Sequence, residues 1–135
     1  MRIGLELKAW ATGMKGDWAN ALELFKEVHR LTNHPLKGLM GVGYSSAMLG
    51  MKEEALECIE KLERRQREDP NSVIDGDLVG IWFALGNMDK VFYHMGQCVE
   101  KRTTPANYFL QYPAFKGLVN DPRYAELEMK MKAVI

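Results

Sequence analysis

The chain has 135 residues, 47% of them apolar and 27% charged, a composition that excludes disorder and suits one domain with its own core. Eighteen Lys and Arg balance eighteen Asp and Glu. The zero net charge gives no basic surplus for nucleic acid, so direct nucleic-acid binding is not expected. No apolar run approaches the roughly 18 residues that span a bilayer, and the N-terminal MRIGLELKAWATGMKGDW lacks the apolar stretch of a secretory leader. A cytoplasmic protein with no membrane contact is expected.

In chain order, Leu5, Ala9 and Thr12 recur at helical spacing up to Gly16. Leu5, Ala9 and Trp10 read as core from the start, which suggests a piece of a longer protein. GDWANALELFKEV then opens on a turn glycine, continues with polar residues suited to a helix start, and carries an apolar stripe. His34 and Pro35 mark the next turn. Residues 38–50, GLMGVGYSSAMLG, contain most of a G-x-G-x-x-G loop at Gly41 and Gly43. A dinucleotide loop needs a strand before it and a helix after it. Here NHPLKGLM precedes it without a β-branched run, and Ser46 replaces the third glycine. Leu39, Val42, Gly43 and Ser46 instead recur at helical spacing up to Gly50, so Gly43 is expected inside a helix. Three glycines make that helix weak on propensity, so packing must hold it.

GMKEEALECIEKL follows from Gly50. Its Glu53, Glu54, Glu57 and Glu60 read as a solvated face of charge pairs rather than as catalytic carboxylates. KLERRQRED, residues 61–69, interleaves both signs and suits a helix C-terminus. Leu78, Val79 and Trp82 then lead to Gly86 and GNMDKVFYHMGQC, in which His94 is expected to be buried and hydrogen-bonded. His29, His34 and His94 have no matched nucleophile. Cys58 and Cys98 read as buried free thiols, with no zinc spacing. Neither a catalytic residue, a metal nor a cofactor is expected. The tail ANYFLQYPAFKGL is interrupted by Pro113. In NDPRYAELEMKMK, Asp121 can cap a helix from about 122, with Pro122 at its first position.

The three glycine-led segments align. Gly16 to Gly50 is 34 residues and Gly50 to Gly86 is 36. Ala21, Ala55 and Val91 share one position; Phe25, Ile59 and Met95 another; Val28, Leu62 and Cys98 a third. Each unit reads as helix, tight turn, helix, over about 2–34, 36–70 and 72–105, with 106–135 as a capping segment. Pro70 and Pro105 close two of the units.

On these residues the chain resembles the tetratricopeptide repeat (TPR) family, whose pattern is W-x2-L-G-x2-Y, then A-x3-F, then P. The matching positions are Leu5, Lys8, Ala9, Thr12, Ala21 and Phe25; then Leu39, Val42, Gly43, Ser46, Ala55 and Ile59; then Asp75, Leu78, Val79, Trp82, Val91 and Met95. Lys8 and Asp75 depart from the pattern, and Pro70 and Pro105 fall late. The resemblance implies an all-α fold, a right-handed superhelix of three TPR-like hairpins with a C-terminal capping helix. The tail YPAFKGLVNDPRYAEL resembles the ending of TPR modules in bacterial signalling and transcription-regulating proteins.

In TPR proteins the first helix of each unit lines a concave groove. The resemblance puts Ile3, Glu6, Trp10, Met14, Lys37, Met40, Tyr44, Met48, Asp77 and Phe83 on that face. One TPR class grips a peptide carboxylate with Lys, Asn and Arg. Here Trp10 and Gly41 stand in place of Asn, Glu6 and Val73 in place of Lys, and Asp77 in place of Arg, so no such clamp is expected. The expected role is a non-enzymatic interaction module whose apolar groove takes a protein or peptide partner. Two alternatives stay open: a self-associating, dimerising regulatory domain, and a small-molecule sensor with a pocket around Trp82 and Phe83. Trp10 and Tyr44 can also pack within the chain, between units or under the C-terminal segment.

Overall fold

A computed structural model describes residues 2–32, 38–101 and 113–133. Among them all regular structure is helical, with no strand. Helices run over Arg2–Met14 (α1), Trp18–Leu31 (α2), Leu39–Met48 (α3), Lys52–Glu68 (α4), Asp75–Leu85 (α5), Met88–Glu100 (α6) and Pro122–Ala133 (α7), with a 3-10 segment at Pro113–Asn120. Pro35 and Pro105, expected between and after units, lie outside the described residues.

Packing follows sequence order. α1 lies on α2, α3 on α4 and α5 on α6, while α3 also packs on α2 and α5. Only a few residues join the members of each pair, so the two helices run antiparallel. The joints turn at Gly16, Gly50 and Gly86, with φ of 99°, 79° and 81°. That left-handed backbone costs other residues roughly 1–2 kcal/mol. Beyond two of these glycines the next helix is capped by a side chain. Asp17 accepts from the Asn20 N–H at 3.2 Å and Asn87 from the Lys90 N–H at 3.1 Å.

Ala21, Ala55 and Val91, equivalent by spacing, are all buried. Small side chains there bring the paired helices close. Two apolar clusters result. One gathers around α4, with Leu39, Ala55, Cys58, Ile59, Leu62, Ile74, Leu78 and Ile81. The other runs from Ala9 and Trp18 through Phe25 and Tyr44 to Val91, Met95, Phe115, Leu118, Tyr124 and Leu127. Cys58 and Cys98 are buried within them, and burial pushes the Cys58 thiol up from its ordinary pKa.

Residues 39–48 are helix throughout, so Gly41 and Gly43 belong to no strand–loop–helix phosphate site. Their missing side chains make room for neighbours. A Cβ on Gly41 would overlap the Phe25 ring of α2, and one on Gly43 would lie 2.7 Å from Ile81 Cδ1 and 3.2 Å from Cys58 Cβ.

Candidate functional site

The offsets that align the turn glycines also align the first helices. Trp10, Tyr44 and Gly80 fall at one level, and Met14, Met48 and Ala84 at another. At the first level the structure builds a line of aromatic rings. Trp10 of α1 meets Phe25 of α2 at 4.9 Å between centroids and Tyr44 of α3 at 5.2 Å, both edge-on. Trp18 lies 6.3 Å from Trp10 and 5.1 Å from Tyr44. Phe115, from the 3-10 segment, stands 6.4 Å from Tyr44 and 4.5 Å from Phe83 of α5. These separations suit the edge-to-face geometry that the ring quadrupoles favour.

The line decides where the expected groove residues sit. Tyr44, expected on an open groove, is instead an interior residue, 3% exposed, covered by Trp10, Trp18 and Phe115. Burial pushes its phenol pKa up. Trp10 and Phe83 are half-buried, each with one face in the ring line. Met40 is half-buried and lies over Gly80, on which a Cβ would stand 2.9 Å from its Sδ. Glu6 and Asp77 are half-buried. Met14 and Met48 are exposed, at 46% and 47%. Lys37 lies outside the described residues; Ile3 belongs to α1, but its side chain lies outside them. The open part of this face is thus its methionine end, and its middle is filled by the chain itself.

Two residues that sequence reasoning passed over shape this region. One is Phe115, whose segment has no helical period to announce an inward face. The other is Asp75, which departs from the repeat pattern. Asp75 is the first residue of α5 and is buried. Its Oδ1 meets Nδ1 of His94 at 2.9 Å, and its Oδ2 accepts from Lys101 Nζ at 2.9 Å. His94 is buried as well. Both carboxylate oxygens are taken, so the group ties the start of α5 to α6. Loss of Asp75 would leave the buried His94 ring without its hydrogen-bond partner, which is costly. An acidic residue at a position where the repeat wants an apolar one was the available signal.

An open trough of about 330 Å³ lies between α6 and α7, lined by Tyr93, Gly96 and Gln97 on one side and Glu126, Leu127 and Lys130 on the other. Arg123 stands at its edge. It donates to Asp121 at 2.8 Å and to Asp89 at 2.7 Å, and its guanidinium carbon lies 4.6 Å from the Phe92 ring centroid. The bonds to Asp121 and Asp89 hold Arg123 above its ordinary pKa, and Arg123 holds Asp121 below the usual carboxylate range. A small-molecule sensor built on Trp82 and Phe83 would need a pocket there; this trough lies elsewhere. Among the described residues no group of three or more His, Cys, Asp and Glu could hold a metal ion, and no helix is long and apolar enough to cross a membrane. Comparison with protein-family models, with curated proteins and with solved structures gave no match.

Proposed function

We propose that this chain is a protein–protein interaction module of TPR type, three helical hairpins wound into a right-handed superhelix and closed by a C-terminal capping segment. It performs no covalent chemistry and belongs to a larger bacterial signalling or transcription-regulating protein. Its partner is a peptide or helix that lies against the first helices of the units. The observation that supports this reading is the pair Met14 and Met48. They occupy equivalent places in successive units, and both are exposed. Thioethers adapt their shape to an incoming apolar surface. Half-buried Trp10, Met40 and Phe83 continue that surface, and Glu6 and Asp77 give it an acidic edge.

The test uses the chain as bait beside a Met14→Glu, Met48→Glu variant. Both side chains are exposed, so the variant keeps its helicity by circular dichroism. A partner captured by the wild type and lost by the variant is the expected result. An unchanged set of partners removes the methionine end from the site. A wild-type dimer that the two charges dissociate would assign the surface to self-association instead.

A further inference from the structure

The 3-10 segment sits on the first-helix face in the manner of a bound peptide. Phe115 and Leu118 are 4% and 3% exposed, while Lys116, Gly117, Val119 and Asn120 are exposed. Two apolar anchors three residues apart, with solvated residues between and beyond them, are how a short helical motif docks in a groove. The backbone of the segment packs against α7, and Phe115 reaches across to Tyr44 and Phe83. α7 has its own attachment: Arg123 bonds Asp89 of α6, and Tyr124 and Leu127 are buried in the larger core. These ties of α7 to α6 do not pass through Phe115.

We propose that the socket between Tyr44 and Phe83 is a binding site for peptides carrying an aromatic residue followed three positions later by an aliphatic one. In this structure the chain's own Phe115 fills it, and Leu118, three residues on, is buried in the same core. The proposal rests on the interaction-module reading and names the ligand chemistry of that same face. The present occupant supplies the argument. The socket's walls are aromatic, the side chain between them is a phenylalanine edge-on to Phe83 at 4.5 Å, and its companion is a leucine. A tethered occupant acts at an effective concentration in the millimolar range. A foreign peptide must compete with it, so its apparent affinity falls by the fraction of molecules whose socket is free. The segment thus sets a threshold for the partner.

The experiment measures fluorescence anisotropy of a labelled synthetic peptide, FLQYPAFKGLVND, the sequence of residues 109–121. It is titrated with the full chain and with its Phe115→Ala, Leu118→Ala variant. The variant is expected to bind at least about tenfold tighter than the wild type, because its socket has lost the competitor. A peptide with alanine at the positions of Phe115 and Leu118 is expected not to bind. If the variant keeps native helicity yet binds no tighter than the wild type, or binds the alanine peptide equally well, the proposal is overturned. Should that variant fail to fold, Phe115→Leu keeps most of the apolar volume and carries the same test. Equal affinity of Phe115→Leu and wild type overturns it too. A wild-type dimer that Phe115→Ala abolishes would take the socket from a foreign peptide and give it to a second copy. A partner sensitive to charges at Met14 and Met48 but indifferent to Phe115 rejects the socket alone. A partner indifferent to Met14 and Met48 rejects the groove reading itself.

Discussion

α3 and α4 belong to one hairpin and are stabilised by opposite means. α4 has 17 residues, with Glu53 and Glu54 in its first turn and Arg65 and Arg67 in its last, signs that complement the helix dipole. It buries one stripe, Ala55, Cys58, Ile59 and Leu62, and offers the rest to water. α3 has 10 residues, no acidic first turn and no basic last turn. It buries Leu39, Gly41, Gly43, Tyr44, Ser45 and Ser46, which lie on every side of the helix, among α2, α4, α5 and Phe115. Ser45 and Ser46 hydroxyls are buried without a hydrogen-bond partner among the described residues, a further cost. α4 is a helix that its own sequence favours. α3 is a helix that its neighbours impose, so damage to its contacts should be felt far more than damage to the surface of α4.

The sharpest way to break this comparison is Tyr44→Ala. It removes a buried ring that touches Trp10, Trp18 and Phe115. The expected loss is about 3–5 kcal/mol, the range for truncating a buried aromatic, read as a shift of the urea midpoint at constant slope. A loss under about 1 kcal/mol would mean that α3 stands without its covering side chains. Gly41→Ala comes next. Alanine favours a helix by about 1 kcal/mol over glycine, but the new Cβ overlaps the Phe25 ring, and overpacking costs about 1–3 kcal/mol. The net expectation is a loss of up to about 2 kcal/mol. Gly4→Ala on α1 is the control: no atom lies within 4 Å of its added Cβ, so it should leave stability unchanged or raise it by the same urea assay. If both substitutions stabilise, close packing at Gly41 is not what holds α3.

The difference between the two helices also explains what the sequence disclosed. The helical class was legible because α2, α4 and α6 each expose one face and bury the other, so apolar residues recur three and four apart. The turn glycines were legible because a left-handed backbone admits few other residues; Gly16, Gly50 and Gly86 all carry it. α3, buried on most sides, has no such clean stripe, and its alignment with the neighbouring units did most to mark it as a helix. That Tyr44 could pack between units or under the C-terminal segment was legible as an alternative, but the residue that covers it from that segment was not. That residue is Phe115, which lies far along the chain in a segment with no period. Nor was the tie from Asp75 to His94 and Lys101, because side chains on successive helices meet only once the hairpin has closed. The site suffered most from this. Local periodicity tells which residues face inward from one helix, but whether a concave face stays open is decided by what else in the chain comes to lie on it.

A smaller effect should appear at alkaline pH. Burial raises the phenol pKa of Tyr44, and burial, then the nearby Glu128, raises that of Tyr124. An unfolded tyrosine ionises near pH 10. Below that value both states hold the proton and stability is intact. Above it the unfolded chain ionises first, so stability falls as pH rises toward and through the folded-state values. Urea midpoints taken upward from pH 9 should therefore decline, and Tyr44→Phe should decline less steeply. An identical slope for Tyr44→Phe and wild type would show that the phenol is not screened from water as its covering rings require.

The smallest change is expected on α4. Glu60 Oε1 accepts from Arg67 at 3.1 Å and from Arg64 at 3.5 Å, with all three side chains about half or more exposed. Water already solvates such charges well, and ordering long side chains offsets most of what their attraction contributes. Glu60→Ala should therefore leave stability within about 0.5 kcal/mol of wild type, and the small remainder should shrink in high salt. A Glu60→Ala loss as large as that of Tyr44→Ala would reverse the comparison. The charge network would then hold the hairpin, α4 would be the helix that depends on its partners, and the rings around α3 would be ornaments on a frame built elsewhere.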